Sequence, residues 1–147
     1  MSIEDDVALL ERVPTLRLLG TAALRMLAIG SELRRVARGD ALFKAGDDAD
    51  AGFIVQRGAL RIEDGGGAAI VAGAGALIGE LALITAMQRP STAIAVEDSS
   101  VIRIARSLFQ RVLESDPAAA RRLRDEFASR TSQIASDILM ASAKLSI

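Results

Sequence analysis

Apolar positions change their period twice along the chain. From Val7 to Gly30 they recur every three or four residues, the spacing that lines one face of a helix. Val7, Leu9, Leu10 and Val13 belong to a first short helix, and Leu24, Leu27 and Ala28 to a second, with Thr21 as its expected N-cap. Pro14 lies between them and can begin a turn but cannot sit inside a helix. After Gly30 the period falls to about two, and turn residues arrive every eight to twelve positions, the signature of a small sandwich or roll. The predicted strands are Glu32 to Ala37, Ala41 to Lys44, Phe53 to Gln56, Ala59 to Glu63, Ala68 to Ala72, Ala76 to Ile78, Thr92 to Val96 and Val101 to Ala105. Glycines 39, 46, 58, 73 and 75 fall between them, and Asp64 followed by Gly65-Gly66-Gly67 reads as a hairpin tip. From Ser107 the helical period returns. Ser107 is the expected cap of a helix through Glu114, and Asp116-Pro117 opens another.

No glycine or proline occurs from Ala118 to Ile147, which predicts one helix of roughly 25 to 30 residues with Leu123, Phe127, Ile134, Ile138, Ala141 and Leu145 on an apolar stripe. That stripe is longer than a small domain can cover. A second copy of the same helix is its expected partner, making a homodimer.

Composition narrows the chemistry. The 147 residues suit one domain, expected to divide into N-terminal helices (1–30), a strand-rich body (31–106) and C-terminal helices (107–147). Lysine and arginine total 18 against 19 aspartates and glutamates, so no net field draws nucleic acid or anionic lipid. Cysteine and histidine are absent, which removes thiol nucleophiles, histidine bases and zinc sites built on either. No enzymatic activity, cofactor or metal is expected. The opening MSIEDDVALLERV is acidic where a secretory signal would be basic, and no apolar run approaches the roughly 20 residues that span a bilayer. The expectation is a cytoplasmic protein with no membrane contact.

The stretch IGELALITAMQRPSTAIA, from Ile78 to Ala95, holds the candidate site. Gly79 frees the backbone, Glu80 follows, an apolar turn runs from Leu81 to Ile84, and Arg89 comes nine positions after the glutamate. An acid and an arginine so placed can grip a small anion between them, or can pair with each other as an internal salt bridge. Burying such a pair for structure alone at best breaks even.

Three segments together resemble the cyclic nucleotide-binding domain family: LLERVPTLRLLGTAALRMLA, then RGDALFKAGDDADAGFIVQRGALRI with its spaced glycines, then AGAGALIGELALITAMQRPSTAIAVEDS. The resemblance covers about Leu9 to Phe127, and 78–92 is similar to that family's phosphate-binding cassette. It implies a mainly β fold with flanking helices, a jelly-roll-like β-roll carrying short N-terminal helices and a long C-terminal one. It also implies that Arg89 pairs with a cyclic phosphate, as a planar guanidinium suits an anion in a half-buried pocket. Glu80 would accept from the ribose 2′-hydroxyl, and backbone amides near Leu81 and Ala82, after Gly79, would cradle the phosphate. Ser91 and Thr92 would offer hydroxyls to phosphate or base. Phe127, Arg130, Thr131, Ser132 or Ile134 could cover the purine.

The expected function is a regulatory sensor of cAMP, in preference to cGMP, that signals through the C-terminal helix to a downstream protein. One departure stands out. The position after the arginine usually gives its own N–H to the phosphate, and here Pro90 has none to give. The alternative is therefore a roll that has lost its ligand and serves as a dimeric protein-interaction module. Ile78, where an aromatic residue is common, changes only packing. Arg121, Arg122 and Arg124 read as a solvated helix face, and since the sequence ends at Ile147 with no room for a helix-turn-helix, direct DNA binding is not expected.

Overall fold

The structure, a computed structural model, describes residues 2–129 apart from Phe127. Three helices lead. α1 (Ile3–Glu11) starts earlier than the apolar period suggests, because Ser2 and Asp5 form a reciprocal capping box and Glu4, Asp5 and Asp6 occupy its first turn, where the helix dipole favours acids. α2 (Pro14–Arg17) begins on its proline, a position where the missing N–H costs nothing. α3 (Thr21–Gly30) corrects an expectation. Gly20, at φ 87°, takes the N-cap position, and Thr21 is the first helical residue with no side-chain cap bond.

Ten strands follow: β1 (Glu32–Val36), β2 (Ala41–Phe43), β3 (Asp48–Ala49), β4 (Ala51–Arg57), β5 (Ala59–Glu63), β6 (Ala69–Gly73), β7 (Leu77–Ile78), β8 (Met87–Gln88), β9 (Thr92–Ala95) and β10 (Ser99–Ala105). They form two four-stranded antiparallel sheets, ordered β1-β10-β4-β7 and β2-β9-β5-β6, and a small β3-β8 ladder. The hairpin between β5 and β6 closes on Asp64, whose Oδ1 accepts from the Gly66 and Ala68 amides at 2.9 and 3.1 Å.

Strand alternation makes two cores. From β4, Phe53 and Val55 point between the sheets and join Phe43, Leu60, Ile78 and Val101. Ile54 points the other way, with Ile102 and Ile104 of β10, into a second core filled by Leu10, Leu16, Leu19, Leu24 and Leu27. The first sheet is thus covered on both faces, which explains why β4 reads as an unbroken apolar run.

β10 runs straight into α4 (Arg106–Ser115), which anchors Phe109 and Val112 in the helical core. Ser107 is not its cap. The backbone N–H of Arg106 donates to Asp50 O at 2.8 Å, so a neighbouring segment serves this helix start. Asp116 does cap the next helical stretch, 117–126, accepting from the Ala119 amide at 3.1 Å. Arg121 and Arg124 are exposed as expected, but Arg122 donates to Leu18 O and Leu19 O at 2.7 and 2.9 Å and ties this stretch to the turn that follows α2. The rest of the expected long helix lies outside the described residues. So do its interface stripe beyond Leu123 and the purine-covering set Phe127, Arg130, Thr131, Ser132 and Ile134. No helix among the described residues is long and apolar enough to cross a membrane.

Candidate functional site

A cavity of about 460 Å³ opens between the strand wall of the second sheet and the 78–92 segment. Its wall is aliphatic, with Ile62 of β5 and Ile70 and Val71 of the edge strand β6. The polar side chains among its lining residues are Glu80, Arg89 and Ser91. Such a space suits a ligand with one anionic end and a flat or apolar body.

Arg89 is the most constrained of the three. It follows β8, and its backbone is held at both ends: its N–H donates to Asp47 O at 2.7 Å, and its carbonyl accepts from the Gly46 amide at 2.8 Å. The side chain is 6% exposed. Nη2 donates to Ala51 O at 2.8 Å, and the guanidinium carbon lies 4.3 Å from the Phe43 ring centroid and 5.4 Å from that of Phe53. Stacking on those rings offsets part of the cost of removing the cation from water. Burial lowers its pKa from the ordinary value; the fields of Asp50 and Asp47 oppose that shift and Arg103 adds to it. Nε is buried without an acceptor among the described residues. A charged donor left unpaired inside a protein is costly, and an anion would remove that cost.

Gly79 is required twice over. It sits at φ 76°, ψ 40°, in the left-handed region, and a Cβ there would lie 2.5 Å from Arg89 Nη1. It opens a 3₁₀ turn, Glu80–Leu83, in which Ala82 and Leu83 are buried and Leu81 is 56% exposed. Glu80 Oε1 accepts from Thr15 Oγ1 of α2 at 2.7 Å. No ion pair joins Glu80 to Arg89 among the described residues, so the internal salt bridge is not what holds these two groups.

Of the seven residues expected from sequence, Gly79, Glu80, Leu81, Arg89 and Ser91 line the cavity. Ala82 and Thr92 do not. The Ala82 N–H donates to Gly79 O at 3.1 Å, and the Thr92 hydroxyl accepts from the Ala45 amide at 2.9 Å, so the fold itself uses both groups. Sequence reasoning passed over Phe43, Ile62, Ile70, Val71 and Thr15. The strand alternation of β5 and β6 was a signal for the wall residues; nothing local marked Thr15.

A sequence profile of the family described as cyclic nucleotide-binding domain matches residues 33–116, more than half the chain. The chain belongs to the cyclic nucleotide-binding domain family. Among solved structures, it is similar to a cyclic nucleotide-binding-like protein from Brucella abortus at 37% identity and TM-score 0.67, covering 75% of this chain and 98% of that one. The N-terminal domain of a transcriptional regulator from Streptomyces coelicolor aligns at 26% identity and TM-score 0.80 over 88% and 94% of the two chains. The lysophospholipase NTE1 of Chaetomium globosum is 32% identical over 72% of this chain, which spans 7% of that protein's length. Family and fold are those of regulatory cyclic nucleotide-binding domains, not of enzymes.

Proposed function

We propose that this domain binds a cyclic nucleotide in the 460 Å³ cavity, cAMP in preference to cGMP, and acts as a cytoplasmic sensor without chemical turnover. The observation that carries the reading is Arg89, a buried guanidinium with its Nε unpaired at the wall of a cavity. The cyclic phosphate takes Arg89, the Leu81 end of the 3₁₀ turn offers backbone N–H, and Glu80 accepts from the ribose hydroxyl. Ser91 supplies a hydroxyl. The strand wall beside the base is aliphatic, which favours adenine, because guanine would bring more polar edge groups to Ile62, Ile70 and Val71 without partners. Binding shifts the C-terminal helices by as much as the ligand's differential affinity allows, and a second copy docks there to form a homodimer.

Calorimetry with cAMP and cGMP tests this. Heat with wild type, stronger for cAMP, and a loss of about a hundredfold or more in Arg89→Ala are expected. No heat with either nucleotide, or undiminished binding by the variant, would overturn it.

Pro90 favours a second reading, a dimeric interaction module with an empty cassette. The proline is exposed beside the cavity and has no N–H for a phosphate. Under the sensor reading, Pro90→Ala restores that donor and tightens cAMP binding about tenfold or more. Under the module reading, neither wild type nor Pro90→Ala takes nucleotide.

A further inference from the structure

Arg89 is not alone in gripping the start of β4. Three successive carbonyls there are each held by an arginine: Ala51 O by Arg89 Nη2 at 2.8 Å, Asp50 O by the Arg106 backbone N–H at 2.8 Å, and Ala49 O by Arg106 Nη1 at 2.9 Å. The same Nη1 also donates to Ala82 O at 3.2 Å and Thr85 O at 2.9 Å, on the 3₁₀ turn and just past it. A guanidinium Nη carries two hydrogens, so three acceptors at one nitrogen must share. Moving the cassette by a few tenths of an ångström redistributes that sharing. Arg106 is also the first residue of α4, so the shared bonds and the helix start belong to one residue.

We infer that Arg106 is a positioning residue that couples the ligand cassette to α4. An anion on Arg89 competes with Ala51 O for the guanidinium, which frees the 49–51 segment to shift against the cassette turn. Arg106 holds both and passes the shift to α4. The inference rests on the cyclic nucleotide reading for the source of the motion; the clamp is made of the protein's own groups. Asp50 adds to the brace, since its carboxylate also accepts from Arg103 at 3.1 Å.

The test is amide hydrogen exchange on the full chain, with and without cAMP, for wild type, Arg106→Gln and Arg106→Lys. Without ligand, Arg106→Gln is expected to speed exchange together at Ile84, Thr85 and the first turn of α4 by about tenfold, as expected when charge-assisted bonds are lost. Exchange in β5 and β9, away from the clamp, stays as in wild type. With cAMP, wild type shows altered protection at both the cassette and α4. In Arg106→Gln the cassette still responds and binding falls by no more than about tenfold, while the α4 response is lost; the cationic Lys variant restores part of it. An α4 response as large in Arg106→Gln as in wild type overturns the coupling, and so does unchanged ligand-free exchange at both segments. If wild type takes no nucleotide, the cassette reading falls, and the ligand-free comparison still decides whether Arg106 joins the two segments. Should Arg106→Gln fail to fold, Arg106→Lys is read alone, since it keeps the charge and loses the planar fork: an α4 response smaller than in wild type, with the cassette still responding, supports the coupling, and one as large as in wild type overturns it.

Discussion

The two faces of β4 look into different kinds of interior. Ile54 enters a core of leucines and Phe109 between sheet and helices, in which the large side chains are almost wholly buried. One residue away, Phe53 enters the roll, where Phe43 stacks on it at 6.0 Å and a buried cation rests on both rings beside an open cavity. One interior is filled with carbon; the other is left with space and an unpaired charged donor. The contrast teaches where the fold is closed by packing and where it leaves a polar opening. The helical core can be judged by the volume it fills, whereas the roll gives up packing on one side and keeps a buried guanidinium, its Nε without an acceptor among the described residues, beside the space.

The largest expected effect comes from breaking the filled side. Leu16→Ala, at a fully buried position, is expected to lower unfolding free energy by about 2–5 kcal/mol in a urea titration, with the ligand affinity of the remaining folded protein little changed. Arg89→Met sharpens the contrast, because it replaces a buried cation by an apolar chain of similar reach. Stability should hold or rise by about 1 kcal/mol while nucleotide binding disappears. A drop as large as that of Leu16→Ala would mean that the guanidinium is structural and that the two interiors are alike. Thr15→Val, the smallest change, removes the hydroxyl that Glu80 holds at 2.7 Å from the helical side. A loss of about 1 kcal/mol in stability and a severalfold weaker affinity are expected, read by the same titration and by calorimetry.

Much of this architecture was visible in the spacing of residues. Ala59 to Glu63 is the expected strand with its expected ends, the Asp64 hairpin closes as its glycines require, and Asp116 caps the helix that Pro117 begins. Two strands were not visible. β3 and β8 are two residues each, too short to carry a period, and exist only because Asp48 meets Gln88 and Ala49 meets Met87 across the ladder. The caps expected at Thr21 and Ser107 gave way to Gly20 and to the carbonyl of Asp50, since a helix start can take its partner from anywhere the chain brings one. In the site, the residue types at Gly79, Glu80 and Arg89 were legible, and which of their neighbours face the cavity was not.

By itself the sequence determined the periods, the turns and the kinds of side chain in the cassette, because those follow from preferences that act over a few residues. The tertiary structure alone decided that Arg89 reaches Ala51 O, 38 positions away, and that Glu80 meets Thr15 across 65. It also buried Ala82, turned the Thr92 hydroxyl to the Ala45 amide and made the Arg106 side chain a clamp on three separate carbonyls. Such contacts have no local signal. They exist only once sheets and helices have closed around one strand, and the polar groups left at that closure define what the cavity can hold.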